Sequence, residues 1–162
     1  MVYTRMDSPV GELLIVSDGT CLTGLYIQIP PEPSWRQEEL PLFDEVRAWL
    51  KDYFDGKRPD VSRLPLKLSG TSFQQGVWAH LLTIPYGETC TYGEIARKMA
   101  VQMGKKTMSA QAVGQAVGRN PISIIVPCHR CVGAGGRMTG YAWGIEKKEW
   151  LLAHEARTKE ET

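Results

Sequence analysis

The chain has 162 residues, of which 43% are hydrophobic and 23% charged, a composition typical of one ordinary globular domain or two small ones. No apolar run approaches the roughly 20 residues that a membrane span requires, and the N-terminus lacks the uninterrupted apolar stretch of a signal peptide. We therefore expect no membrane association and a cytoplasmic location. Four cysteines without a secretory signal predict reduced thiols rather than a disulfide framework.

The net charge of +1 conceals an uneven distribution. Residues 1–94 contain 13 acidic and 8 basic side chains, whereas residues 95–145 contain no acidic side chain and seven basic ones. Such an acid-free segment is typical of a surface that meets phosphates, although a chance cluster of solvated charges would look the same. The seven basic residues are Arg97, Lys98, Lys105, Lys106, Arg119, Arg130 and Arg137.

The first third of the chain predicts an antiparallel sheet followed by a helix. Three strand-forming stretches, VYTRM, ELLIVS and LTGLYIQI, are separated by turns rich in Gly, Pro and Asp. After a polar loop with prolines, apolar residues at helical spacing predict a helix from Leu42 to Phe54 that stops at Gly56. We place a domain boundary near residue 70, which divides the chain into residues 1–70 and residues 71–162.

The second part predicts three short helices. Thr71 with Gln74 and Thr91 with Glu94 have capping-box spacing, and Ser109 can cap the following stretch AQAVGQAVG. Glycine costs about 1 kcal/mol relative to alanine in a helix, so the two glycines of this stretch indicate that something approaches it closely. Two short helices of which the second presents small residues resemble a helix-turn-helix. A small-residue helix packed in a core is the alternative, and the surrounding acid-free segment favours nucleic acid.

A cysteine follows the third helix in a chemically suggestive setting. Asn120 and a proline mark a turn, the β-branched run ISIIV predicts a buried strand, and the run PCHR then places Cys128 beside His129 and Arg130. Cationic neighbours of this kind favour the thiolate over the thiol. Cys128 and Cys131 also form a C-x-x-C pattern, typical of a redox dithiol or half a zinc site. No thioredoxin-like context and no paired further ligands are visible, so we predict neither metal nor cofactor.

The chain resembles the methylated-DNA-protein-cysteine methyltransferases, also called 6-O-alkylguanine-DNA alkyltransferases, in four stretches. They read FQQGVW, IPYGET with TYGEIA, AVGQAVGRNPISIIVPCHR and TGYAWGIEKKEWLLAHE, and they cover residues 71–156. The resemblance implies an α+β fold in which a small antiparallel sheet with a helix, ribonuclease H-like, precedes a mostly helical, winged helix-turn-helix-like domain. It also implies a monomer that binds double-stranded DNA carrying 6-O-alkylguanine and needs no cofactor.

The resemblance assigns roles to three catalytic residues. Cys128 would attack the carbon attached to the guanine 6-oxygen and keep the alkyl group as a thioether, without turnover. His129 would activate Cys128 through a water, and Glu155 would orient and charge the imidazole, a Cys-His-acid arrangement by role. If residues 128 and 129 are extended, their side chains alternate and leave room for that water.

The resemblance further implies a guanine pocket and a DNA-binding surface. Tyr92 would crowd the phosphate 3′ to the target and donate a proton to guanine N3, and Asn120 would be a hinge between recognition helix and active-site strand. Helix 110–118 would enter the minor groove, and guanine would leave the duplex at a cost of a few kcal/mol. The predicted substrate contacts are Tyr92, Asn120, Val126, Tyr141, Ala142 and Trp143. The predicted DNA contacts are Thr91, Tyr92, Ser109, Ala110, Gln111, Ala112, Gln115, Arg119 and Arg130.

The chain departs from the family pattern at several positions. Gln111 stands where better-known members carry an arginine that inserts into the base stack, so we expect weaker duplex affinity. Trp143 replaces a common glycine of the pocket wall and should restrict large alkyl groups. Cys131 and Cys90 replace a usual valine and a frequent threonine. Some members bind structural zinc near the N-terminus, but Cys21 has no partner ligands, so we expect no zinc.

Two other functions are compatible with parts of the sequence. A relative that binds alkylated DNA without transfer would lack the acceptor cysteine, whereas Cys128 is present. A helix-turn-helix regulator would not explain PCHR together with the tail KEWLLAHE.

Overall fold

The N-terminal part is a four-stranded sheet. The computed structural model describes residues 1–159, so the last three residues of the predicted segment 71–162 lie outside the described part. Strands β1 (Val2–Met6), β2 (Leu13–Ser17) and β3 (Leu22–Ile27) form the predicted antiparallel meander. A short fourth strand, β4 (Arg36–Gln37), pairs parallel with β1 in a stretch predicted to be loop, which gives the order β3-β2-β1-β4.

Helix α1 (Pro41–Phe54) shares a hydrophobic core with this sheet. Proline suits the first turn because its fixed φ matches the helix and its missing N–H would have no partner there. Phe43, Val46 and Leu50 are fully buried on the sheet side. The helix stops where predicted, at Gly56, whose φ of 84° lies in the left-handed region that favours glycine.

Up to residue 159, the C-terminal part contains four α-helices and a two-stranded parallel pair. The helices are α2 (Ser72–Leu81), α3 (Tyr92–Gln102), α4 (Ala110–Gly118) and α5 (Ile145–Lys159), and the paired strands are β5 (Cys90–Thr91) and β6 (Cys131–Val132). Both predicted capping boxes are formed, and the Ser109 side chain accepts a hydrogen bond from the backbone N–H of Ala112. Helices α2, α3 and α4 pack against one another, which confirms the predicted α+β class with a mostly helical second part. Within residues 1–159, no helix has the length and apolarity to cross a membrane.

The β-branched run before Cys128 is a buried turn, so the predicted strand is wrong. Only Ile122 pairs, through an isolated bridge to Leu25 of β3. The Asn120 side chain accepts a hydrogen bond from the backbone N–H of Ile122 (3.0 Å) and donates one to the carbonyl of Val126 (2.8 Å). These bonds close the turn, and Ile124 takes a left-handed φ of 69° that costs a β-branched residue about 1–3 kcal/mol. The turn brings Cys128 back toward Asn120.

Helix α5 joins the two parts of the molecule. The His154 ring donates a hydrogen bond from Nε2 to the carbonyl of Tyr53 on α1 (2.8 Å). The same ring stacks on Trp150, with centroids 5.1 Å apart, and Trp150 packs against Phe54. Helix α5 is therefore held against α1, which fixes the direction in which it presents Glu155.

Candidate active site and nucleic-acid interface

Cys128 lies at the wall of a cavity of about 300 Å³. It begins a 3₁₀ turn, Cys128–Arg130, and is only 7% exposed. Five of the six predicted substrate contacts line the cavity with it: Tyr92, Asn120, Tyr141, Ala142 and Trp143. The sixth, Val126, does not, because its side chain is fully buried in the core and its carbonyl accepts the bond from Asn120. Gly114, Val117, Gly118, Ser123 and Gly140 complete the lining.

The surroundings of Cys128 keep its sulfur protonated. Burial raises the pKa of this thiol above its ordinary value of 9.0, and it outweighs the hydrogen bond from Asn120 and the charge of Lys148, which favour the thiolate. The predicted preference for the thiolate is therefore wrong, because burial dominates and the guanidinium of Arg130 binds Glu155 instead. A base must remove the proton before the sulfur can act as a nucleophile.

His129 has the geometry of that base. Its Nε2 lies 2.5 Å from Oε2 of Glu155, and its Nδ1 is buried with no hydrogen-bond partner in the described part of the chain. Burial lowers the pKa of His129 below its ordinary value of 6.5, although Glu155 acts in the opposite direction. A neutral ring that donates its Nε2 proton to Glu155 leaves the Nδ1 lone pair able to accept a proton. The predicted extended arrangement of residues 128 and 129 is wrong, since both lie on the 3₁₀ turn.

Glu155 is fully buried and receives hydrogen bonds from four residues. Besides His129, these are the hydroxyl of Tyr53 (2.6 Å), the backbone N–H of Gly87 (3.0 Å) and the guanidinium of Arg130, through Nε at 2.8 Å and Nη2 at 3.2 Å. Burial alone would raise the pKa of Glu155. The hydrogen bonds from His129 and Arg130 and the positive charge of Arg130 outweigh burial, so the pKa falls well below its usual range. The carboxylate remains charged at neutral pH.

Arg130 does not belong with the predicted DNA contacts. Its side chain is 11% exposed, its Nη1 donates to the carbonyl of Ile84 (2.8 Å), and its guanidinium lies 5.6 Å from the ring centroid of Tyr86. All of these contacts lie within the protein, and the positive charge of Arg130 faces Glu155 rather than a DNA phosphate. The sequence reading failed here because a basic residue beside a reactive cysteine looks the same whether it faces solvent or a buried carboxylate.

Lys148 is a site residue that the sequence analysis missed. It is fully buried, and its Nζ donates to the carbonyls of Cys131 (2.6 Å), Thr139 (2.9 Å) and Gly140 (3.2 Å). The ammonium also lies 5.8 Å from the ring centroid of Tyr92. It therefore ties the segment after Cys128 to the wall of the cavity. The available signal was its spacing of seven residues from Glu155, which puts both on one face of α5.

Aromatic side chains form the remaining wall of the cavity. Trp143 donates from Nε1 to the hydroxyl of Ser123 (2.7 Å) and meets the ring of Tyr26 edge-on, with centroids 6.2 Å apart. Tyr92 donates its hydroxyl proton to the carbonyl of Thr139 (3.2 Å), and burial raises its pKa to about 12. The hydroxyl of Tyr141 is buried without a hydrogen-bond partner in the described chain.

An open groove of about 690 Å³ adjoins the cavity and shares Tyr92, Gly114 and Gly140 with it. Five predicted DNA contacts line the groove: Thr91, Tyr92, Ala110, Gln111 and Gln115. Ala112 and Arg119 line a neighbouring hollow on the other side of α4, which also includes Gln115, and exposed Ser109 caps the helix. The structure therefore gathers the predicted contacts around α4, with Arg130 as the exception.

The remaining cysteines offer no evidence for a metal centre. Among residues 1–159, no three His, Cys, Asp or Glu side chains gather as metal ligands would. Cys131 faces Cys90 across the β5–β6 pair, and all four thiols are free. Burial raises the pKa of Cys131 and of Cys90, to about 12 and about 11 respectively, so both are poor nucleophiles at neutral pH.

Comparisons with known proteins cover almost the whole chain. Residues 72–157 match the family described as "6-O-methylguanine DNA methyltransferase, DNA binding domain", and residues 1–68 match its "ribonuclease-like domain". Methylated-DNA--protein-cysteine methyltransferases of Haemophilus influenzae and Mycobacterium leprae are each 45% identical, over 96% of this chain and 86% and 93% of theirs. The structure of Mycobacterium tuberculosis OGT in complex with DNA is 43% identical and superposes with a TM-score of 0.84, covering 98% of this chain and 94% of that chain. The chain belongs to the 6-O-methylguanine DNA methyltransferase family.

Proposed function

We propose that this protein repairs DNA by transferring the alkyl group of a 6-O-alkylguanine irreversibly to Cys128. The observation that carries the proposal is a buried thiol on the wall of a small cavity, followed along the chain by an imidazole with a free Nδ1 and a buried carboxylate at its Nε2. The names of the relatives support this reaction. A protein that only bound alkylated DNA would have no use for this arrangement.

Residues of the chain and the substrate account for every bond and proton of the transfer without a cofactor. His129 takes the thiol proton at Nδ1, either directly or through a water, and Glu155 stabilises the resulting imidazolium. The sulfur of Cys128 then attacks the alkyl carbon, the carbon–oxygen bond breaks, and its electron pair stays with the guanine. Tyr92 supplies a proton at N3 as guanine leaves and is reprotonated afterwards from solvent. The thioether has no leaving group, so each protein molecule reacts once.

The cavity and groove suit a guanine turned out of the duplex. We assign α4 to the minor groove, where its small exposed residues permit close approach, and we assign the cavity behind it to the flipped base. The buried Tyr141 hydroxyl would gain a partner there, since an unpartnered buried hydroxyl is costly. The DNA complex of the tuberculosis homologue supports duplex DNA as the partner. We also propose a division of the chain into residues 1–70 and 71–162. The protein would act as a monomer in the cytoplasm, where a free acceptor thiol stays reduced.

The deciding experiment follows a labelled methyl group. Duplex DNA with tritium on the methyl of one 6-O-methylguanine is incubated with excess protein, and protein-bound label is counted. We expect complete transfer to the wild type and to Cys131→Ser, which removes a thiol that does not line the cavity, and no transfer to Cys128→Ser. Label on Cys128→Ser, or no label on the wild type, would contradict the proposal.

A further inference from the structure

Helix α4 has no positive charge of its own with which to neutralise DNA phosphates. None of its nine residues, from Ala110 to Gly118, is charged. A duplex carries about one negative charge per 1.7 Å of its axis, and its affinity for proteins depends on cations that neutralise phosphates. If α4 lies in the minor groove, as the proposed function has it, the neutralising charge must come from residues beside the helix.

Three cations lie together beyond the N-terminal end of α4. Arg97 on α3, with Lys105 and Lys106 on the connection between α3 and α4, lines a hollow of about 570 Å³. This hollow shares Gly93, Arg97 and Ala110 with the groove that holds the predicted DNA contacts. Arg97, Lys105 and Lys106, here called the basic rim, therefore extend the same surface past the end of the helix.

The basic rim is exposed and forms no close ion pair among the described residues. All three side chains are exposed, and none makes a hydrogen bond or ion pair with another residue of the described range 1–159. No acidic residue occurs anywhere from position 95 to position 145. The nearest carboxylate along the chain, Glu94, is hydrogen-bonded to Thr91 and Cys90 in the cap of α3, and it attracts Arg97 without forming a hydrogen bond or close ion pair with it. A cluster of such cations, beside the protein groove that holds the predicted DNA contacts, is complementary to a polyanion.

We propose that the basic rim binds backbone phosphates of the duplex that flank the flipped guanine on one side, and that this contact supplies charge that α4 lacks. This inference rests on the proposed function, since it needs α4 on the DNA. Helix α4 is about 13 Å long, so the basic rim and Arg119 at its opposite end meet phosphates several base pairs apart. The basic rim thus lengthens the bound site at one end only.

The test compares two double variants of equal charge. Lys105→Gln with Lys106→Gln changes the basic rim, and Lys57→Gln with Lys67→Gln removes the same charge from exposed positions of the N-terminal part. Duplex affinity is measured by fluorescence anisotropy from 50 to 200 mM salt. Loss of two phosphate contacts makes the negative slope of log affinity against log salt less steep by about 1.8. The ratio of wild-type affinity to variant affinity therefore falls about twelve-fold over this range. The control variant should keep the wild-type slope.

A second arm uses duplexes shortened from either end. We expect the difference between the rim variant and the wild type to disappear when one end, and not the other, is removed. Equal slopes for the rim variant and the control, or a difference that survives both truncations, would overturn the inference. Transfer of labelled methyl to the wild type is measured in parallel, so that a failure of the proposed function is seen separately.

Discussion

At the scale of single residues, the chemistry of the site depends on how burial and hydrogen bonding divide charge between neighbours. The same burial that protonates Cys128 also keeps His129 neutral, so the nucleophile and its base are both uncharged before reaction. Glu155 stays ionised in an equally buried place because it collects donors from His129, Tyr53, Gly87 and Arg130. The negative charge of Glu155 therefore lies beside the ring of His129, where it stabilises the imidazolium that forms during the reaction.

Trp143 sets the size of alkyl group that the cavity accepts. Its indole is fixed by Ser123 and by the ring of Tyr26, so it cannot swing aside freely. We expect Trp143→Gly to raise the rate constant of benzyl transfer at least about ten-fold, equivalent to 1.4 kcal/mol of barrier, and to leave methyl transfer within about three-fold. The measurement is single-turnover kinetics on duplexes with 6-O-benzylguanine or 6-O-methylguanine.

Ser123→Ala provides the matched control for this prediction. It removes the hydrogen bond that holds the indole but keeps the indole itself. Its gain in benzyl transfer should be smaller than that of Trp143→Gly. Unchanged benzyl transfer in Trp143→Gly would show that the indole does not limit the cavity.

At the scale of elements, local patterns were predictable and a folded-back turn was not. The capping boxes at Thr71 and Thr91 depend on residues three positions apart, and the sequence shows them directly. The run ISIIV has the composition of a strand, yet Asn120 closes it into a turn and Ile124 adopts a left-handed conformation. Strand propensity describes a residue's fit to a pleated surface, and here burial and the Asn120 bonds outweigh it.

Helix α5 carries both Glu155 and Lys148 and positions them at the site. We expect Lys148→Met, which keeps an unbranched apolar side chain but removes the ammonium with its three donors, to lower the free energy of unfolding by about 1–3 kcal/mol. Alkyl transfer should also slow, because the segment carrying Gly140 loses its tie to the cavity wall. Thermal melting and single-turnover kinetics measure the two effects, with Lys147→Met as the neighbouring control. Indistinguishable behaviour of the two variants would show that the buried ammonium holds nothing in place.

At the scale of the whole molecule, the N-terminal part reaches into the site of the C-terminal part. Tyr53 on α1 donates to Glu155 across 102 positions of sequence, and Tyr26 of β3 supports Trp143. The stretches that resemble the family all lie after residue 70, so the sequence predicted the whole site in that part. Contacts between distant residues leave no local pattern. The roles of Cys128, His129 and Glu155 were predictable because the family resemblance covers their stretches, whereas Tyr53 lies outside it.

The contact between Tyr53 and Glu155 makes the N-terminal part a participant in alkyl transfer. Tyr53→Phe keeps the ring packing but removes one donor to the carboxylate, so the support for the imidazolium weakens. We expect single-turnover methyl transfer to slow several-fold at a temperature well below melting, with a stability loss of about 1–3 kcal/mol. Tyr86→Phe is the matched control, because its hydroxyl bonds Thr158 and not Glu155. If both variants lose stability while transferring methyl at the wild-type rate, Tyr53 is a packing residue and the catalytic carboxylate does not depend on the N-terminal part.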